Sequence, residues 1–181
     1  MKSGMKATNF LIQEHKVILR ALDVLDGMTA AMEAEGMADP ADVDKILDFL
    51  RWFADAHHQV KEETILFPVL KARAAAEDRS VRHMIFEHDH ERHLVEDLEK
   101  DLRLGELSNF ASSASRLSST LRNHLYKEDQ LLFPEADSLL DEQQDDAIFE
   151  LLNRFETALD KEILDAKLHD LHSLEWKYLR K

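Results

Sequence analysis

The sequence predicts an all-α protein, an antiparallel four-helix bundle made from a duplicated helix hairpin with a C-terminal helix packed on it. Three observations carry this. Apolar residues recur at three- and four-residue intervals along almost the whole chain, and no alternating strand pattern of useful length occurs. Only 4 Gly and 3 Pro occur in 181 residues, too few for a turn-rich β fold. Two long stretches also repeat each other, and hairpins that cannot bury their apolar faces alone must face one another.

The first helix is predicted from Thr8, with Phe10, Leu11, Val17, Ile18, Leu22 and Leu25 on its periodic face, to a break at Glu35-Gly36. Asp39 is a predicted N-cap with Pro40 at the first position of the second helix. That helix carries Val43, Ile46, Leu47, Leu50, Phe53 and Leu66, with Pro68 a kink or an end. A third helix is predicted from near Ser80 to Gly105, and a fourth from near Ser108 to Pro134. A fifth, about Asp141 to Leu168, repeats Ile148, Leu151, Leu152, Phe155, Leu159 and Ile163. The expected organisation is one domain over 1–181, with the bundle at 8–136 and a C-terminal helical extension at 141–181.

Composition removes several classes of function. With 23 Lys and Arg against 37 Asp and Glu, the net charge is −14, which argues against nucleic acid and anionic membrane partners. Zero Cys excludes disulfides, thiolate metal sites, iron–sulfur clusters and cysteine nucleophiles. No apolar run reaches membrane-spanning length, and MKSGMKATNFLIQEHK has neither an uninterrupted apolar core nor a small-residue cleavage site, so a cytoplasmic protein is expected. Ten His in such a chain is the compositional oddity.

Their positions follow the internal repeat. HHQVKEETILFP (57–68) overlays NHLYKEDQLLFP (123–134) at an offset of 66, pairing His58 with His124, Lys61 with Lys127 and Glu62 with Glu128. Upstream, QEHKVILRALDVL (13–25) overlays FEHDHERHLVEDL (86–98), pairing Glu14 with Glu87 and His15 with His88. In each half His-x-x-x-Glu sets an imidazole and a carboxylate one helical turn apart on one face. Nitrogen and oxygen donors without sulfur suit iron, manganese or zinc. The set His15, His58, Glu62, His88, His124 and Glu128, converging in a bundle core, fits two metal ions with the glutamates able to bridge them. A bridging hydroxide or oxide would reduce the excess positive charge, and each ion would keep open positions for a small molecule.

The repeat also separates neighbours. His57 matches Asn123 and lies five residues from Glu62, so His58 is preferred as ligand. Glu63 matches Asp129, one position off the ligand face. His83, His90 and His93 are expected in solvent, as are His169 and His172. Glu87-x-x-His90 has no counterpart in the other half. Glu14 and Glu87 point about a quarter-turn from the ligands, as outer-shell or channel acids or as solvated surface. Phe53, Phe67, Phe133, Phe149 and Phe155 are expected in the core. Trp52 and Trp176 fit packing or interface roles equally.

These residues resemble the hemerythrin-like (HHE cation-binding) domain family: a His, then His-x-x-x-Glu followed by Leu-Phe-Pro, the whole repeated once. The resemblance covers roughly residues 8–180 and implies a non-haem di-iron centre in a four-helix bundle that binds or senses dioxygen, nitric oxide or peroxide. It implies His15, His58, His88 and His124 as terminal ligands and Glu62 and Glu128 as bridging carboxylates. The pattern is the six-ligand variant. Where oxygen-carrying hemerythrins have a fifth His this chain has Met84, and the second bridging acid is Glu128, four residues after His124. The Cys-bearing module of the iron–sulfur repair proteins of this fold has no equivalent here.

Three roles are compatible with this reading. One is a protein that binds, senses or scavenges a small molecule or handles iron. Another is a di-iron oxidoreductase turning over peroxide or nitric oxide. The last is a non-redox zinc- or manganese-binding bundle.

Overall fold

Local signals place most of the helix ends. The computed structural model describes residues 6–35, 38–73 and 79–180. Helix α1 is Ala7–Glu35. Gly36, half of the predicted break, lies outside the described residues. Asp39 caps α2 (residues 40–73) by accepting from the Ala41 N–H at 3.0 Å, with Pro40 in the first turn. Helix α3, Ser80–Leu104, ends where Gly105 adopts φ 69°, the left-handed conformation that closes a helix C-terminus. Helix α4 spans residues 107–139. Asp141 and Gln144 form a capping box that opens α5, Glu142–Ala158.

Two expectations are corrected. Neither Pro68 nor Pro134 ends its helix. Each follows a π-helical turn, Glu62–Leu66 or Glu128–Leu132, in which the Phe67 or Phe133 N–H reaches back to the Glu62 or Glu128 carbonyl. Shifting the hydrogen bonds by one residue removes the conflict between the proline ring and the preceding turn. A longer π segment, Leu50–Gln59, lies upstream in α2. The fifth predicted helix is in fact two. Leu159 is extended, and the Asp160 side chain caps α6, Lys161–Tyr178, by accepting from the Glu162 N–H at 2.9 Å. An internal Asp with a free carboxylate can compete with helix continuation in this way.

The four bundle helices neighbour one another in cyclic order, α1 to α2 to α3 to α4 and back to α1, while α5 and α6 lie on the α1–α2 side. Two apolar clusters fill the interior. One is built around Ile18, Leu22, Leu25, Ile46, Phe49, Leu98, Phe110 and Leu117. The other contains Leu11, Leu66, Phe67, Val81, Met84, Leu132, Phe133 and Leu152. Full burial of each such side chain contributes about 1.5–3 kcal/mol. Phe149 and Phe155, expected inside, are only half-buried.

The extension is tied down by Arg20, whose guanidinium donates to both Glu175 oxygens at 2.6 and 2.8 Å. Asp42 adds to this by accepting from Lys177 at 2.5 Å and from the Tyr178 hydroxyl at 2.9 Å. Gly27 lets α6 approach, because a Cβ there would stand 2.9 Å from the Tyr178 carbonyl oxygen. Among the described residues no helix is long and apolar enough to cross a membrane.

Candidate metal centre

Between the two apolar clusters lies a polar layer. His15 (α1), His58 and Glu62 (α2), His88 (α3), and His124 and Glu128 (α4) are all buried. They form two four-residue groups whose donor atoms are within 4.8 Å of one another: His15, His58, Glu62 and Glu128, and Glu62, His88, His124 and Glu128. Both glutamates belong to both groups. All six sequence-predicted residues therefore come together, and Glu62 and Glu128 occupy the shared position.

The ring nitrogens are sorted by their partners. Nδ1 of His15 meets Asp129 at 2.7 Å and Nδ1 of His88 meets Glu63 at 2.7 Å. Nδ1 of His58 meets Glu14 at 2.8 Å and Nδ1 of His124 meets Glu87 at 3.0 Å. A carboxylate can only accept, so each Nδ1 carries a hydrogen and each Nε2 faces inward, where the neutral ring has a lone pair to offer a cation. The Nε2 atoms of His15 and His58 are 3.0 Å apart, as are those of His88 and His124. They also face the glutamates, at 3.4 Å from His15 to Glu128, 3.5 Å from His58 to Glu62, 3.4 Å from His88 to Glu62 and 3.3 Å from His124 to Glu128.

Two facts test whether these residues suit a cation. Both oxygens of Glu62 and both of Glu128 are buried with no hydrogen-bond partner. Orphaned carboxylate oxygens are costly in a protein interior unless a cation meets them. Two nitrogens bound to one ion at about 2.1 Å and a right angle would also lie about 3.0 Å apart. The donor set fits a pair of metal ions of the borderline class.

Electrostatics point the same way. Burial disfavours charge on the imidazoles, but the nearby carboxylates of Glu62 and Glu63 outweigh it and push His88 up to about 9. Asp129, Glu128 and Glu62 raise His15 despite its burial, and Glu128 and Glu87 raise His124. Burial and the Glu128 charge push Glu62 up, yet the surrounding imidazoles hold it, like Glu128, below the usual carboxylate range. In the metal-free protein, protons on His15, His88 and His124 offset the two buried carboxylates.

Ring packing fixes the imidazoles further. Phe133 stacks on His15 (5.4 Å between centroids, 19°), and Phe67 stacks on His88 (5.7 Å, 18°). The phenylalanine of each Leu-Phe-Pro thus orients a ligand on the opposite hairpin.

Sequence reasoning missed three features and left a fourth, the role of Glu14 and Glu87, open. Glu63 and Asp129 are off the ligand face of their own helix but hold the ligands of the other half. Glu14 and Glu87 take the outer-shell reading over the surface one. His57 is buried, stacks on Trp52 at 5.3 Å and lies 3.0 Å from the Lys61 ammonium. Glu91, buried in α3, accepts from Gln59 at 2.6 Å, and burial pushes its carboxyl up to about 7. Matched acids at 63/129 and 14/87 were the available signal for the first two. Glu91 had none, because its counterpart in the repeat is Ile18. His90, expected in solvent, is half-buried, whereas His83, His93, His169 and His172 are exposed. Trp176 is exposed, with the Arg180 guanidinium 3.3 Å from its ring centroid.

A helical bundle whose duplicated halves each bring His and Glu to one buried layer defines a cation-binding protein. The family model for the Hemerythrin HHE cation binding domain matches residues 6–136, and the chain belongs to that family. No curated protein matches the chain.

Proposed function

We propose that this is a non-haem di-iron protein that binds a small molecule (dioxygen, nitric oxide or peroxide) in order to sense or scavenge it, or that handles iron. In this reading His15 and His58 would hold one ion and His88 and His124 the other, with Glu62 and Glu128, which belong to both groups, shared between them. The observation that carries it is the set of four partnerless glutamate oxygens facing four inward Nε2 atoms. When bound, a redox-active pair supplies a Lewis-acidic, electron-exchanging centre with open positions for a small ligand.

The chain's own residues do the rest. Glu14, Glu63, Glu87 and Asp129 fix the ring tautomers and raise the basicity of the donors. Phe67, Phe133 and the two apolar clusters exclude bulk water. The cysteine-free sequence suits a reducing, cytoplasmic setting.

A second reading, turnover of peroxide or nitric oxide, is favoured by Glu91. Its carboxyl holds a proton near neutrality, its Oε1 lies 3.9 Å from His124 Nδ1, and it lines a cavity of about 240 Å³ between α2, α3 and α4. Such an acid is placed to deliver a proton.

Elemental analysis with optical spectra, in air and after anaerobic reduction, tests the proposal. The expected result is about two irons per chain, with near-ultraviolet bands that bleach on reduction. Two zinc ions and a featureless spectrum from iron-replete cells would replace it with a non-redox bundle. Steady peroxide or nitric oxide consumption that falls in Glu91→Gln would favour the enzyme, whereas stoichiometric binding without turnover would favour the binder.

A further inference from the structure

The two halves offer equivalent ligands in unequal surroundings. Lys61 and Lys127 are equivalent in the repeat, and each ammonium grips the acid that orients a ligand imidazole, Glu14 for His58 and Glu87 for His124. Around Lys61 the extension adds a second clamp. Glu156 of α5 accepts from its Nζ at 2.5 Å, Phe155 of α5 lies 5.5 Å away and Phe10 of α1 lies 5.2 Å away. The His57 Nε2, 3.1 Å from Glu156, completes the network.

The Lys61 side chain has no solvent exposure, against 25% for Lys127. Lys127 meets Glu87 alone among the carboxylates of the described residues, and Asn123 stands where His57 would be. A recess of about 340 Å³ remains between the extension and the bundle, but the Glu14, His57 and Glu156 in its wall are tied to Lys61, and His58 is not among its lining residues.

The helices differ in the same way. α1 and α2, which carry His15 and His58, are braced by Arg20–Glu175, Lys177–Asp42 and Lys61–Glu156. α3 and α4, which carry His88 and His124, share the apolar cluster of Leu152 with α5 but make no ion pair to α5 or α6 among the described residues, and the cavity lined by Glu91 lies on their side, with Glu91 Oε1 3.9 Å from His124 Nδ1. A buried ion leaves when its helices open locally, and opening is easiest where the fewest contacts resist it.

We infer that the C-terminal extension makes the two metal positions unequal, with a retained ion at His15–His58 and an exchangeable, ligand-accessible ion at His88–His124. Glu156 is the positioning residue that sets the difference, acting through Lys61 and Glu14 on His58. The inference rests on the two-metal reading above.

The test is release of iron(II) from the fully loaded chain to an excess of a coloured iron(II) chelator, without oxygen. Expected are two phases of equal amplitude with rates at least about tenfold apart, and anomalous diffraction from the half-stripped protein with its remaining ion at His15–His58. Glu156→Ala, with an unchanged melting temperature, should speed the slow phase roughly tenfold, the scale of an outer-shell partner, and leave the fast phase alone. One common rate for both ions, a remaining ion at His88–His124, or equal acceleration of both phases in Glu156→Ala would overturn the inference while two ions per chain still stand. Binding of fewer than two ions at the outset would instead overturn the two-metal reading.

Discussion

Glu63 and Asp129 each sit one residue past a central glutamate, yet each reaches the imidazole of the opposite hairpin. Arg92 holds Glu63 in place, donating to it at 2.7 Å and to Asp55 at 2.7 Å. Removing such a partner frees the imidazole to rotate and weakens its donor, so Glu63→Ala or Asp129→Ala should lower metal affinity about 10- to 100-fold by competition titration. Glu62→Ala or Glu128→Ala should lose most of the second metal outright. His57→Ala should keep both ions, because His57 faces Lys61, Trp52, Glu14 and Glu156 and is in neither group that contains Glu62 and Glu128. Loss of both in that variant would show that the wrong histidine had been chosen from the repeat. That six residues converge on one buried layer was legible because duplication at fixed offsets separates matched side chains from coincidental neighbours. Of the acids behind the six, Glu14 and Glu87 were left between two readings, and Glu63 and Asp129 were set aside. A side chain a quarter-turn from the ligand face meets either water or the next helix, and only tertiary packing decides which.

At the scale of elements, sequence punctuation was read correctly at Asp39, Ser80 and Gly105, misread at Pro134 and Leu159, and at Pro68 wrong only in allowing a helix end. Proline was allowed to end the helix, but a π turn just before it accommodates the ring, and nothing in local periodicity announces a single widened turn. Asp160 was absorbed into a continuous apolar pattern although its cap divides α5 from α6. Gly105 has open space around its missing Cβ, so Gly105→Ala should cost only the left-handed backbone strain, about 1 kcal/mol in chemical denaturation. Gly27 behaves oppositely. Alanine there gains about 1 kcal/mol of helix propensity, but its Cβ meets the Tyr178 carbonyl at 2.9 Å and Leu179 at 3.2 Å. Gly27→Ala should therefore loosen the end of α6, read as faster amide exchange at residues 171–178, and unchanged exchange there would show that α6 does not depend on this approach.

For the whole molecule, the buried layer couples folding, protons and metal. His88 rises from 6.5 to about 9 in the metal-free fold, so its contribution to stability is full below pH 6.5 and is lost as pH climbs through about 9. Glu87 falls from 4.5 to about 2 because His124 and Lys127 outweigh its burial, so its contribution is full above pH 4.5 and is lost as pH falls through about 2. Denaturant titrations of the metal-free chain should show highest stability between pH 4.5 and 6.5, and a maximum near pH 9 would contradict these assignments. Metal takes the place of the ring protons, so loading should release protons, detectable with an indicator dye, and apparent affinity should rise with pH. The crossed pairing of ligands and their supports has a further consequence. His15 depends on Asp129 and Phe133, and His88 on Glu63 and Phe67, so neither hairpin holds everything that its own imidazole needs. The centre works as a coincidence detector for assembly. Two separately made hairpins should stay metal-poor until mixed, and a chain that has captured its cation is one whose halves have already recognised each other.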